Sequence, residues 1–215
     1  MRWVSLEDAG RLSLNSVAAN ALREGLGLRA EEPSRPGAPL LFITGPPAAG
    51  KSSVARALCS RLERAAHIEV DLIRHMVISG YASPIAGVSD PLAAAAQNEL
   101  QTANVVALAR NFSLTGFHTI LDLLLEAPED LDQYLEVLAE TGSIYLVTLM
   151  PALATLQRRD EGRPPAVRQG ERVEAAYRSI SSKNEVRGLR IDNTGLDIER
   201  TVSQIITNLD QARVV

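Results

Sequence analysis

The stretch LLFITGPPAAGKS, Leu40–Ser52, decides the fold of this 215-residue chain. It joins an apolar run, Leu40–Thr44, to a complete G-x-x-x-x-G-K-S motif, and Ser53–Glu63 after it has the pattern of a helix. A buried strand, a glycine-bounded loop and a helix start in this order form a phosphate-binding P-loop. Glycines let successive backbone N–H groups point at one anion, and the helix N-terminus adds partial positive charge. We therefore expect the chain to bind a nucleoside triphosphate.

Each residue of the motif has a predicted task. Lys51 can reach the β- and γ-phosphates, and the Ser52 hydroxyl can ligate Mg²⁺. The motif therefore predicts that a nucleoside triphosphate and Mg²⁺ bind here. The residues of this segment predicted to bind the nucleotide are Gly45, Ala48, Ala49, Gly50, Lys51, Ser52 and Ser53.

Composition and charge narrow the class of protein. Hydrophobic residues make up 46% of the chain, enough for a core, while no apolar run approaches a membrane span of about 18 residues. Acidic residues in Met1–Asp8 stand where a signal peptide would be apolar, so we expect a cytoplasmic protein. The single Cys59 excludes an intramolecular disulfide and suits a packing role. A formal net charge of −4 with 4% aromatic residues disfavours broad nucleic-acid binding.

Short apolar strands alternate with helices along the rest of the chain. This alternation predicts an α/β fold, a three-layer P-loop NTPase fold with a five-stranded parallel sheet flanked by helices. Residues 1–39, with a helix near 5–28 and a Pro/Gly linker, are predicted to form an N-terminal extension that is a candidate for oligomerisation. Strands are predicted at 40–44, 67–70, 117–121, 144–149 and 189–191, and later helices at 92–111, 129–140, 151–159, 171–182 and from 197.

Acidic residues follow the second and third predicted strands. Ligands bind at the carboxyl ends of parallel strands, and Asp71 and Asp122 are predicted to lie there. Asp71 can accept the proton of an attacking hydroxyl, or it can cap the next helix. Asp122 has the position of an acid that holds Mg²⁺, although any buried strand can end in Asp. Strand alternation would put Glu69 on the same side of the strand as Asp71. Glu69 would then be a metal or substrate ligand, or else a solvated strand residue.

Three arginines are predicted to supply positive charge at the site. Arg74, within one helical turn of Asp71, can hold an anionic or polar group of an acceptor molecule. Arg159 and Arg163 lie between the fourth and fifth strands, where a lid over residues 157–172 can fold over the phosphates. There they would stabilise charge on a transferring phosphoryl group. Solvated arginines at a helix end are the alternative.

Several segments together resemble the small P-loop kinases, which include chloramphenicol phosphotransferase, gluconate and shikimate kinases, polynucleotide kinases and zeta toxins. The segments are GPPAAGKS, Val70–Arg74, Ile120–Asp122, Arg159–Arg163 and Ile191–Gly195, within roughly residues 40–210. The resemblance implies a nucleoside-kinase-like fold with a lid, and hence a kinase domain at 40–215. It implies that Asp71 acts as base or acceptor ligand, that Arg159 and Arg163 meet the phosphates, and that Asn193 lies near the adenine. Glu69 departs from the Asp that sugar kinases often carry.

These features predict an ATP- and Mg²⁺-dependent phosphotransferase with an alcohol group as acceptor. The small-molecule acceptor is expected to be an antibiotic or other metabolite, a sugar or a sugar nucleotide, selected by residues 72–100. The alternatives are a polynucleotide kinase, an ATPase coupled to a partner protein, and a protein that sequesters a drug unchanged. Predicted catalytic residues are Lys51, Asp71, Arg159 and Arg163; substrate ligands Glu69, Asp71 and Arg74; metal ligands Ser52 and Asp122; and a further nucleotide ligand Asn193.

Overall fold

One parallel sheet with helices on both faces makes up the domain seen in the structure, a computed structural model that describes residues 37–85, 87–182 and 187–215. Within these residues the five-stranded sheet has the order β2-β3-β1-β4-β5. The strands are β1 Leu40–Thr44, β2 Ala65–Glu69, β3 His118–Asp122, β4 Ile144–Leu149 and β5 Leu189–Ile191. The helices are α1 Lys51–Cys59, α2 Val70–Arg74, α3 Pro91–Leu114, α4 Pro128–Leu138, α5 Leu153–Glu161, α6 Glu171–Ser181 and α7 Ile198–Thr207, with 3₁₀ turns at Pro165–Val167 and Leu209–Ala212.

Strand β1 is buried on both faces because helices cover the sheet on either side. Leu41 and Ile43 belong to a core shared with α1 and α7, and Leu40 and Phe42 to a second core shared with α3 and α4. A continuous apolar strand, without polar alternation, is what a parallel sheet covered on both faces requires. The predicted three-layer α/β fold with a five-stranded parallel sheet is confirmed.

The predicted element bounds agree with the structure to within a few residues, but the end of β2 differs in a way that matters. Strand β2 ends at Glu69 and helix α2 begins at Val70, so Asp71 lies in the first turn of α2. The expectation that Glu69 and Asp71 share one face of a strand is wrong, because the chain is no longer extended after Glu69. Asp122 is the last residue of β3, in register with Ile43 of β1. The predicted helix 5–28 lies outside the described residues.

Cys59 ends α1 and packs, half-buried, against the core on that side of the sheet. Burial raises the pKa of its thiol to about 11. The packing role expected for this residue therefore agrees with its surroundings. In the described parts of the chain, we find no helix whose length and apolar character would let it cross a membrane.

Candidate nucleotide and acceptor site

The loop between β1 and α1 is shaped by residues with left-handed backbone. Gly45 has a φ of +143°, and a Cβ there would lie 2.2 Å from the carbonyl oxygen of Leu149 at the end of β4. Ala48 has a φ of +66°, and Gly50, which precedes α1, has a φ of +95° with open space where a Cβ would stand. Backbone turned in this way forms a concavity of N–H groups that suits an anion. The loop therefore has the shape of a phosphate cradle.

Several of the predicted site residues influence the amine of Lys51 through their charges. Its ammonium Nζ donates hydrogen bonds to the carbonyl oxygens of Gly45 at 2.9 Å and Pro46 at 3.2 Å. Burial lowers the pKa of Lys51 to about 8, the carboxylates of Asp71 and Asp122 oppose this shift, and Arg163 adds to it. Because these residues come from α2, β3 and the segment after α5, separate parts of the fold converge on the lysine amine.

Asp122 is a buried carboxylate without a hydrogen-bond partner in the described part of the chain. Its side chain is 3% exposed, and neither carboxylate oxygen has a hydrogen-bond partner among the residues that the structure describes. His67 Nε2 lies 3.5 Å from Oδ1 without the alignment of a hydrogen bond. A buried charge of this kind is costly unless something pairs with it. Hard cations bind carboxylate and hydroxyl oxygens, so Asp122 and Ser52, in the first turn of α1, form a donor set that fits Mg²⁺.

The described part of the chain offers no complete set of protein ligands for a metal. Across residues 37–85, 87–182 and 187–215, no group of three or more His, Cys, Asp or Glu side chains could hold an ion. Magnesium in nucleotide sites usually keeps only one or two protein ligands and takes the rest from phosphates and water. A sparse donor set is therefore what a nucleotide-linked Mg²⁺ needs.

Asn193 and Arg159 donate hydrogen bonds to the backbone of the loop between β1 and α1. The Asn193 amide nitrogen donates to the carbonyl oxygen of Ala49 at 3.0 Å. The Arg159 guanidinium donates to the same oxygen at 3.4 Å and to the carbonyl oxygen of Asn193 at 3.1 Å. Burial, and then the neighbouring Arg158, lower the pKa of Arg159. Both residues were predicted to meet the nucleotide directly, and the contacts that the structure gives them are to the loop that would hold it.

Asp160 is a buried residue whose importance the sequence reasoning missed. Its carboxylate accepts hydrogen bonds from the backbone N–H groups of Gln169 and Gly170, both at 2.9 Å, and lies 3.7 Å from the Arg163 guanidinium. It therefore organises the predicted lid around Arg163. A signal was present, because an acid in the last turn of a helix opposes the helix dipole and implies a specific local partner.

The predicted acceptor ligands have unequal surroundings. Asp71 is exposed on α2. The carboxylate of Glu69 is paired with Arg56 at 2.7 Å through its Oε2 oxygen. Arg74 is 6% exposed, and its Nη1 donates to the carbonyl oxygen of Ala82 at 2.9 Å. Much of this guanidinium therefore braces the segment between α2 and α3.

The fold and the loop together define the class: the chain contains a P-loop domain with the architecture of the small P-loop kinases. Among protein families, the model of AAA_33, described as an AAA domain, matches residues 40–182, which is more than half of the chain. The chain therefore belongs to this family of AAA domains. The resemblance to P-loop kinases expected from the sequence is confirmed.

Solved structures share the fold at low sequence identity. The APS kinase CysC of Mycobacterium tuberculosis, in complex with AMPPNP and APS, aligns with a TM-score of 0.59 and 19% identity over 82% of this chain and 99% of that chain. The tunicamycin resistance protein of Deinococcus radiodurans aligns with a TM-score of 0.57 and 20% identity over 83% and 99%. A chain of the Pnkp1/Rnl/Hen1 RNA repair complex aligns with a TM-score of 0.54 and 18% identity over 72% of this chain, which spans only 47% of that one. No curated protein matches the sequence.

Proposed function

We propose that the protein is an ATP-dependent phosphotransferase that transfers the γ-phosphoryl group to a hydroxyl of a small molecule. The observation that carries this proposal is the loop after β1, whose left-handed residues shape an anion cradle around the Lys51 amine, together with the buried Asp122 carboxylate on the neighbouring strand, which has no partner among the described residues. Nucleotide binding needs the lysine and the loop, but it gives no reason for the exposed carboxylate of Asp71 to stand within electrostatic reach of the same amine. A base beside the phosphate site is what transfer to an alcohol requires.

The loop residues would hold the triphosphate. Backbone N–H groups of residues 48–53 would cradle the phosphates, and the Lys51 amine would exchange the carbonyl oxygens of Gly45 and Pro46 for phosphate oxygens. Ser52 and Asp122 would hold Mg²⁺, which when bound neutralises phosphate charge. Asn193 and Arg159 would act through the backbone oxygen of Ala49, by keeping the loop in place.

The proposed reaction is an in-line displacement at the γ-phosphorus. The Asp71 carboxylate accepts the proton of the acceptor hydroxyl, and the acceptor oxygen forms a bond to the γ-phosphorus. The bond from that phosphorus to the bridging oxygen breaks, and ADP leaves with the electron pair. Of the two predicted lid arginines we assign Arg163 to charge stabilisation, because Arg159 is bound to the loop backbone while Arg163 is held on the lid by Asp160.

The test is mass spectrometry of the full chain with ATP, Mg²⁺ and a pool of antibiotics, sugars, sugar nucleotides and 5′-hydroxyl oligonucleotides. We expect one small molecule to gain one phosphate. Asp71→Asn should keep ATP affinity and lower transfer by about 10²–10⁴-fold, the usual contribution of a general base. Lys51→Ala should weaken both nucleotide binding and transfer. Asp210→Asn, at an exposed acid in the C-terminal 3₁₀ turn, is the matched control and should leave both unchanged.

Other outcomes would each contradict a defined part of the proposal. Phosphorylation of the oligonucleotides alone would make the protein a polynucleotide kinase. Accumulation of ADP without any phosphorylated acceptor would favour an ATPase coupled to a partner protein. Normal transfer by Asp71→Asn would remove this residue from the mechanism.

A further inference from the structure

The surface next to Asp71 is apolar. Helix α2, the segment after it and the first part of α3 carry large hydrophobic side chains that face solvent, among them Met76 at 69% exposure and Leu100 at 51%. Clustered exposed hydrophobic side chains on a soluble domain mark a binding surface more often than ordinary surface. Their position beside the proposed base makes the acceptor molecule their natural occupant.

The charge of this region disfavours acceptors that carry phosphate groups. Between Val70 and Ala109 the sequence contains a single lysine or arginine, Arg74, against the acids Asp71, Asp90 and Glu99. A sugar phosphate, a sugar nucleotide or a nucleic-acid end would therefore approach a surface of its own sign of charge. Such juxtaposition of like charges disfavours binding.

A cavity of about 110 Å³ opens between α2 and α3. This is somewhat smaller than the roughly 150 Å³ of a cavity known to hold benzene, so it suits one ring or a short chain of a larger molecule. Four apolar side chains line it, together with three amides and the one arginine. The lining consists of Ile73, Arg74, Met76, Val77, Gln97, Leu100, Gln101 and Asn104.

Within the described residues, Arg74 keeps an unpartnered nitrogen, Nη2, that a ligand could meet. Its Nη1 donates to Ala82 and its Nε donates to Gln101 Oε1 at 3.3 Å, while the Gln101 amide nitrogen donates to the carbonyl oxygen of Val70 at 2.8 Å. Nη2 is buried, and nothing in the described ranges of the chain accepts a hydrogen bond from it. A buried charged donor without a partner is costly, so an oxygen atom in the cavity would be favoured. The two N–H groups of Nη2 can donate hydrogen bonds to oxygen atoms of a ligand at this end of the cavity.

We infer that the acceptor of the proposed reaction is an amphipathic alcohol without phosphate groups. Its apolar ring or chain fills the cavity, one carbonyl-type oxygen accepts a hydrogen bond from Arg74, and its hydroxyl reaches Asp71. Asp71 and Arg74 are three residues apart on α2 and so are neighbours on the helix surface, within reach of one small molecule. The inference rests on the proposed function and narrows its acceptor class from metabolites in general to this type.

The test uses three derivatives of 2-phenylethanol that differ only at the para position: hydrogen, acetyl or phosphate. Binding to the full chain is measured without ATP by saturation-transfer NMR. We expect the acetyl compound to bind about tenfold more tightly than the unsubstituted one, the usual gain from a hydrogen bond to a charged donor. The phosphate compound should bind more weakly than the acetyl compound. Transfer from ATP to each compound is then followed by mass spectrometry.

A matched pair of variants locates the binding surface. Leu100 lines the cavity, whereas Val137 on α4 does not, and their exposures are nearly equal at 51% and 49%. Leu100→Ser should weaken binding of the acetyl compound about tenfold, as expected for lost apolar contact in a pocket. Val137→Ser should leave binding unchanged. Because both side chains are half-exposed, neither substitution removes a core contact.

The outcomes separate this inference from the proposed function. The inference is overturned if the phosphate compound binds at least as tightly as the acetyl compound, if Leu100→Ser has no effect, or if the acetyl compound does not bind at its solubility limit. Transfer to other acceptors in the pooled assay would still support a phosphotransferase in those cases. Binding in the expected order, without phosphorylation of any compound in either assay, would support the type of ligand inferred for the cavity. The same result would contradict the proposed reaction.

Discussion

Replacing Lys51 with methionine should make the nucleotide-free protein more stable while weakening nucleotide binding. The pKa of Lys51 is lowered from 10.5 to about 8, chiefly by burial. At neutral pH the folded protein therefore carries a charged amine that the unfolded chain accommodates more easily. Methionine keeps the length of the side chain and removes the charge.

The magnitude follows from the pKa and the contacts. A shift from 10.5 to about 8 corresponds to about 3 kcal/mol in the free energy of unfolding at pH 7. Methionine also loses the hydrogen bonds to Gly45 and Pro46, for which we deduct about 1 kcal/mol. The expected net gain is about 2 kcal/mol. Because the folded state binds fewer protons than the unfolded state between about pH 8 and 10.5, wild-type stability should rise with pH through that window.

The assay is urea unfolding of the full chain without nucleotide, followed by circular dichroism at pH 7 and at pH 10. The advantage of Lys51→Met over wild type should be largest at pH 7 and should disappear by pH 10. Lys51→Arg, which keeps its charge at both pH values, should bring no stabilisation. A methionine variant less stable than wild type at pH 7, or an advantage independent of pH, would show that burial of the amine carries no such cost.

Two further substitutions test the loop and the lid. Gly45→Ala should lower the free energy of unfolding by more than 1–3 kcal/mol, the usual cost of strained backbone, because its Cβ would also collide with the end of β4 at 2.2 Å. Gly50→Ala, which meets open space, should cost only the backbone strain; equal urea midpoints for the two variants would contradict this reasoning. Asp160→Asn should lower phosphoryl transfer more than ATP affinity and speed hydrogen exchange at the Gly170 amide, because the carboxylate holds that N–H and Arg163. Unchanged exchange at Gly170, measured by NMR, would mean that the lid has other support.

The fold could be predicted because its signals are local. The P-loop motif, the apolar run before it and the helix after it lie within a few dozen residues, and each predicts its own conformation. The start of α3 is equally local: Asp90 accepts a hydrogen bond from the Ala93 N–H at 2.9 Å, and Pro91 opens the helix. Alternating apolar strands and helices then allow few arrangements other than a covered parallel sheet.

The end of β2 could not be predicted because the sequence does not mark it. Val70 follows Ile68 as another β-branched apolar residue, and no glycine or proline separates strand from helix. The pattern therefore favours a strand through Val70, whereas the helix begins there. That single boundary determines whether Asp71 extends from a strand or from a helix turn.

The contacts of Arg159 and Asn193 lay beyond sequence reasoning for a different reason. Both bind the backbone oxygen of Ala49, from positions 110 and 144 residues away along the chain. Every residue has a carbonyl oxygen, so such a partner leaves no mark in the sequence. The buried Arg74 is similar, since its position depends on the carbonyl oxygen of Ala82. Residue types indicated which side chains matter, but only the structure shows which atoms they bind.

The protonated thiol of Cys59 has a practical consequence for observing the lid. Thiolates, not thiols, react with maleimide dyes, and a pKa of about 11 leaves Cys59 with very little thiolate at pH 7. New cysteines at exposed positions, such as Val167→Cys on the lid and Val137→Cys on α4, would be labelled far faster. Energy transfer between two dyes can therefore test whether the proposed lid moves on addition of nucleotide, with the native cysteine left in place.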